Sequence, residues 1–372
     1  MNETDINDKR ASAEFKGVSF SKFQKSKVKT ELINCLINAK IEPACYWSAE
    51  LVCAGHFSDL WETIILFVSR YIHLGNPKLP IYISLRFANF KDILCNGYVD
   101  NEIRLRNNPK IRQIFAEVIG TLCFSRKKHS FVPLKIKKEE EYNMTHMASR
   151  LKAPSITYAG EVFRSDDPKE FYIAVNEFTY HISNESRNVV NACYWLEWVL
   201  EFDTICKKSK DINSQKQQEC ETRTFAPVLS KFQKDTIWII WDAILQAAKK
   251  QGDLLIIKIV NALLEMFSIK YMPGVKKRRK FIIYFAIALL TEPVDLTMEM
   301  ITNHVGIENV KKKIGIVYKD VKKNEVSPET DYLFTGMRPE QSSLDKTIER
   351  LEKMNDIMGG GGGGGGGMKA IQ

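Results

Sequence analysis

An all-α fold is predicted, built of two tandemly duplicated helical units packed side by side, with a flexible N-terminal arm and a flexible C-terminal tail. Three observations predict it. The body is poor in glycine: nine of the 20 glycines form the run Gly359–Gly367, which leaves 11 in the other 363 residues, about 3% against a usual 7%. Apolar residues recur at helical spacing, while strand-like alternation is scarce. Four aromatic and apolar blocks occur twice in the same order.

The repeated blocks set the register of the duplication. Ala44-Cys45-Tyr46-Trp47 returns as Ala192-Cys193-Tyr194-Trp195, and the block at Leu60-Trp61-Glu62 returns at Ile240-Trp241-Asp242. Leu79–Ile83 is echoed by Leu254–Ile257, and Phe115-Ala116 by Phe285-Ala286. The offset grows from 148 to about 180 residues between the first block and the second, which matches the polar stretch 207–234 as a loop inserted in the second copy. The identical SKFQK at 21–25 and 230–234 lies off this register and is read as coincidence.

Element by element, residues 1–27 read as a polar arm. A first helical unit with a basic linker follows over 28–150. Asp59 and Glu62 stand at capping-box spacing ahead of the run Ile64–Val68. Gly75-Asn76-Pro77 stops that helix. Leu79–Phe87 alternates for a few residues and is one of two strand signals. Ile111, Ile114, Phe115, Val118, Ile119 and Leu122 then form one stripe of an amphipathic helix.

The second unit spans 151–320. Phe171–Val175 is the other strand signal; Asp235 can cap a helix over 236–250, ended by Gly252-Asp253. Phe281–Leu290, ten apolar residues, suits a buried helix and falls short of the roughly 18–20 that cross a bilayer. Over 321–372 a linker precedes a short helix at Leu344–Met358, with Leu344, Ile348, Leu351 and Met354 at helical spacing, and then the glycine tail. An appended helix of this kind often docks on a neighbouring molecule.

No chemistry stands out. Lys plus Arg number 54 and Asp plus Glu 45, a net charge of +9 that favours an anionic partner. The eight cysteines form no C-x-x-C pair, and the first thirty residues are polar with mixed charge; free thiols in a reducing compartment are expected. Cys45, Cys53 and His56 lack the fourth ligand and tight pairing of structural zinc, so no metal and no cofactor is expected. Glu62 and Asp242 occupy equivalent places, but carboxylates near helix starts are ordinary, and no catalytic residue is assigned.

Trp47, Trp61, Trp195 and Trp241 are read as a shared core of the repeats rather than a stacking platform for bases. Glu197 and Glu201, like charges one turn apart, call for a basic partner. The basic clusters are the strongest polar signal: Lys276, Lys277, Arg278, Arg279 and Lys280 in one run, with Arg126, Lys127 and Lys128 in the first unit. They offer contacts to nucleic acid, to an acidic protein or to a membrane surface, or an import signal. Cations at a helix start oppose its dipole, which favours a role other than stabilising that helix.

The blocks YWSAELVCAGHFSDLWETI (Tyr46–Ile64) and NACYWLEWVLEFD (Asn191–Asp203) resemble a helical family, without assigned enzymatic activity, of nucleocytoplasmic large DNA viruses of the mimivirus and phycodnavirus type. The likeness covers about residues 32–290. It implies a late viral protein, a minor capsid or other virion component, and the duplicated body, with two similar faces, suits bridging of neighbouring subunits. The virion and the viral factory in the host cytoplasm are the places it implies, with the nucleus as another. A nucleic-acid-binding protein of replication or packaging, acting through the basic clusters, is the alternative.

Overall fold

Helices carry the chain. The computed structural model describes residues 3–99, 101–136, 142, 144–208, 219–326 and 344–357, and among them the only β-pairing is an isolated bridge between Val18 and Gln24. The α-helices are α1 (Lys25–Ile37), α2 (Ile41–Cys53), α3 (Phe57–Phe67), α4 (Leu79–Cys95), α5 (Pro109–Phe124), α6 (Met144–Arg150), α7 (Tyr172–Ile182), α8 (Val189–Lys208), α9 (Ile237–Gln251), α10 (Leu254–Ser268), α11 (Lys280–Thr291), α12 (His304–Lys322) and α13 (Leu344–Ile357). The glycine run and residues 209–218 of the expected loop lie outside the described residues. No helix among the described residues is long and apolar enough to cross a membrane.

Both strand signals are helices. Leu79, Tyr82, Ile83 and Phe90 are buried hydrophobic positions of α4, and Ala174, Val175, Phe178 and Ile182 those of α7. These spacings of three, four, seven and eleven are helical, and a few alternating residues do not distinguish the two periods.

The chain divides into two units that do not follow a cut at residue 150. Unit 1 takes Met1–Ile64, Arg86–Ser125 and Ile301–Gln372; unit 2 takes Ile65–Leu85 and Arg126–Met300. The return after residue 300 has a physical cause. Ile307, Tyr318 and Val321 of α12 are buried, and α12 packs on α2 and α5.

In unit 1, α2 is buried on nearly every side and packs on α1, α5, α12 and α13. The amphipathic stripe of α5 is buried throughout. Asn108 caps that helix, accepting from the amides of Lys110 and Ile111, with Pro109 in the first turn. Trp61 closes an aromatic cluster, its ring 5.1, 5.7 and 5.4 Å from Phe87, Phe90 and Phe115. Each such ring or aliphatic side chain contributes roughly 1.5–3 kcal/mol by leaving water.

The polar arm is instead an ordered strap. Ile6, Phe15, Phe20 and Phe23 are buried. The Arg10 guanidinium pairs with Asp8 at 2.6 Å and lies 4.7 and 4.8 Å from the rings of Phe15 and Phe20. Asp8 accepts from the Val326 amide and Lys9 N–H donates to the Val326 carbonyl, so the strap is tied to the end of α12. Composition hid this because the few apolar residues are diluted among charges that find partners elsewhere in unit 1.

In unit 2, α11 is buried from Phe281 to Thr291 and packs on α7, α8, α9 and α10. Its own side chains meet apolar neighbours all round, which is why ten consecutive apolar residues occur in it. The residues after α3 form a π-turn, Val68–Ile72, and His73 follows at φ 46°. Helix α9 ends on Gly252 in the left-handed conformation, φ 78°, which glycine adopts without strain.

Candidate functional site

The basic run of unit 2 is met by acids of the same unit. Lys276 is buried, its ammonium 2.6 Å from Asp203 and 2.7 Å from Asp235. Burial opposes charge on Asp235 and Lys276, yet the attraction prevails. Lys276 holds the Asp235 carboxyl below its usual range, and the two carboxylates hold Lys276 above its own. Lys277 reaches Glu201 at 2.8 Å and Lys280 reaches Glu197 at 2.6 Å. These are the basic partners that the like-charged pair on α8 calls for. Tyr284 also donates to Glu197.

Arg279 donates to the carbonyls of Phe267 and Ile269 at 2.6 Å each, capping the last turn of α10. A cation at a helix C-terminus also complements its dipole. Arg278 is exposed. The run therefore staples α8, the turn at Asp235 and the end of α10 to the start of α11, which explains cations at a helix start that its dipole disfavours. Four of its five charges are engaged within the chain rather than offered to an outside anion.

The other cluster is more open. Arg126 is exposed, Lys127 is half-buried and Lys128 pairs with Glu292 at 2.9 Å. This segment lies against the π-turn, with Lys128 N–H donating to Ile72 O and Ser130 N–H to Arg70 O. Gly75 is required beneath it: a Cβ there would lie 2.4 Å from the Arg126 carbonyl oxygen.

All four repeat tryptophans are at most 2% exposed, so none presents a stacking face. Cys45 and Cys53 are buried thiols whose pKa burial pushes up, and His56 Nε2 sits 2.7 Å from the Val18 carbonyl. Burial likewise pushes Cys35 and Cys220 up to about 12, so neither is a ready nucleophile near neutral pH. All eight cysteines are free. No group of three or more potential metal ligands occurs among the described residues.

Unit 1 holds an apolar concavity. A groove of about 220 Å³ runs between the start of α2 and the length of α12, with Leu351 of α13 at its side. Ile41, Cys45, Val310, Ile314 and Val317 make its wall apolar, and Glu42, Lys313 and Asp320 stand on its rim. An apolar trough with a sparse charged rim is the shape that accepts one face of a helix.

No family model, curated protein or solved structure matches the chain. The site is therefore argued from its own geometry.

Two buried polar networks escaped sequence reasoning. Arg223, with no exposure, forks onto Asp167 at 3.1 and 2.5 Å, reaches Asp242 at 3.1 Å and donates to Val162 O. It holds the second half of the inserted loop onto the body of unit 2, and it explains Asp242 without catalysis. Glu50 is fully buried and accepts from Ser19 Oγ, Ser21 N and Ser21 Oγ. Burial still raises its pKa. A lone arginine in a polar stretch and a lone glutamate on a helix carry no local signal of either arrangement.

Proposed function

We propose that the chain is a non-enzymatic assembly protein built by tandem duplication, each copy a set of five helices that presents a similar surface to neighbouring subunits. The observation that carries this reading is the recurrence of one helix order. The repeated blocks fall in order on α2 to α5 and on α8 to α11, with α1 and α7 preceding them and the long insertion between α8 and α9. Tyr46 and Trp47 meet edge to face at 5.2 Å and 85°, and Tyr194 and Trp195 at 5.1 Å and 81°. Trp61 lies 5.1 Å from Phe87, and Trp241 lies 5.4 Å from Phe267, each phenylalanine the same distance along the chain from its tryptophan. Repeated bodies of this kind bind repeating neighbours well.

The resemblance of Tyr46–Ile64 and Asn191–Asp203 to large-DNA-virus proteins makes the virion the setting to test, with a minor capsid role as the specific form of the proposal. The internal neutralisation of the Lys276–Lys280 run supports an assembly role over nucleic-acid binding. Quantitative mass spectrometry of gradient-purified particles beside infected-cell lysate tests it. A fixed ratio to the major capsid protein is expected. Absence from particles, together with DNA binding that falls steeply with salt, would replace this reading with one in replication or packaging.

A further inference from the structure

We propose that the face formed by α2 and α12 is an acceptor for an amphipathic helix of a partner protein, and that α13 rests there as a resident stand-in. The inference rests on the assembly role above and names the chemistry of the partner.

Helix α13 shows what the face selects. Its stripe Leu344, Thr347, Ile348 and Leu351 has helical spacing, yet only Thr347 and Leu351 are buried, at 1% and 2% exposure. On one side Glu352 pairs with Lys40 at 2.9 Å; on the other Arg350 pairs with Asp320 at 3.0 Å and lies 5.9 Å from the Tyr46 ring. The face thus reads an apolar stripe flanked by one acid for Lys40 and one base for Asp320. The first pair is open to solvent, with side-chain exposures of 35% and 52%; in the second Arg350 is 44% exposed, while Asp320, which also pairs with Lys323 at 3.0 Å, is 14% exposed. Such pairs set register more than they hold.

The fit is incomplete. Beside Leu351 the groove of about 220 Å³ remains open along Ile41, Val310, Ile314 and Val317. An unfilled apolar trough forfeits the contacts its lining could make. A helix with a bulkier apolar residue at the Leu351 position, keeping the acid and the base beside it, fills what α13 leaves. While covalently attached, α13 competes at high local concentration, so an outside helix binds weakly until α13 is released.

The test uses the full chain and a fluorescein-labelled peptide of residues 344–357, read by fluorescence anisotropy. Leu351→Asp in the chain removes the stand-in and should tighten peptide binding at least tenfold. Arg350→Glu, which repels Asp320 without touching the core, is the second release variant should the first fold poorly; circular dichroism checks both. On the released chain, a peptide carrying Leu351→Phe should bind at least threefold tighter than the parent peptide. Adding Lys40→Glu to the chain should weaken the parent peptide, and a peptide carrying Glu352→Lys should recover the loss.

Equal peptide affinity for the wild-type and both released chains overturns the proposal, as does weaker binding of the Phe peptide. A wild-type chain that dimerises, and becomes monomeric on Leu351→Asp, gives the site to a second copy and overturns the foreign partner. Peptide binding as expected by a protein that stays out of particles would refute the assembly setting and leave the acceptor face standing.

Discussion

Replacing Lys276 by methionine keeps the aliphatic stem and removes the charge, leaving Asp203 and Asp235 facing each other in the interior. Their side chains are 2% and 4% exposed. At 2.6 Å and an effective dielectric near 20, each lysine–carboxylate attraction is roughly 6 kcal/mol before desolvation. Breaking a buried pair costs about 3–5 kcal/mol. Lys207, 3.0 Å from Asp203 and partly exposed, recovers a little of it. The expected loss is therefore about 3–4 kcal/mol, or a fall in the melting temperature of unit 2 of about 6–16 °C.

Lys277→Met is the matched control, since its ion pair with Glu201 is 45% exposed on the lysine side; it should cost at most about 1 kcal/mol. Urea unfolding followed by tryptophan fluorescence at pH 7, at low salt and in 0.5 M salt, reads both. The Lys276→Met difference should survive salt, because screening acts on exposed charges. The pH dependence has a defined sign. The Asp235 pKa is depressed by folding, so its contribution is present above the unfolded carboxylate value and is lost as pH falls through the folded one. The Lys276 pKa is raised, so its contribution holds below the unfolded lysine value and is lost above the folded one. The wild-type advantage should thus be flat between about pH 5 and 10. A cost under 1 kcal/mol, indistinguishable from Lys277→Met, would refute the internal staple and return the run to outside anions.

Two further outcomes follow from unit 2. Burial holds His73 down to about 4, beside the Phe285 ring at 4.9 Å; the unfolded state therefore takes up its proton first, and stability should fall between pH 6.5 and 4 by up to roughly 3 kcal/mol. His73→Phe should remove that part of the acid slope, and an unchanged slope in pH-jump denaturation curves would contradict it. Gly75→Ala should cost about 1–3 kcal/mol because the new Cβ meets the Arg126 carbonyl and the Lys128 amide, whereas Gly274→Ala, with open space around it, should stay within about 0.5 kcal/mol. Equal melting temperatures for these two variants would remove the argument for close backbone approach at Gly75.

What could be read from the sequence was what is local. The α5 stripe and the apolar run of α11 declare themselves within a dozen residues, because each helix meets its core through its own period. The need of Glu197 and Glu201 for a cation was also legible, since it arises within one turn. The identity of that cation was not, because Lys277 and Lys280 are brought to α8 only by tertiary packing. The same limit hid the strap: Asp8 and Arg10 look solvated until Val326 and Phe20 supply their partners. The groove combines residues of α2, α12 and α13, and no single stretch carries its pattern. Leu79–Phe87 failed for a different reason, a segment too short for its period to be decided.

The split make-up of unit 1 imposes a schedule on synthesis. Unit 2 is complete once residue 300 has been made, but unit 1 waits for its last piece, Ile301–Gln372. Ser19 and Ser21 can engage Glu50 as soon as α2 exists, so one end of the strap has an early anchor. The other end closes on Asn324 and Val326. At ordinary translation rates that interval is roughly 15–60 s. Throughout it the first helices lack the α12 face that covers them. A ribosome stalled before codon 326 therefore displays a half-built body with an open apolar flank, the kind of nascent chain that holding chaperones select.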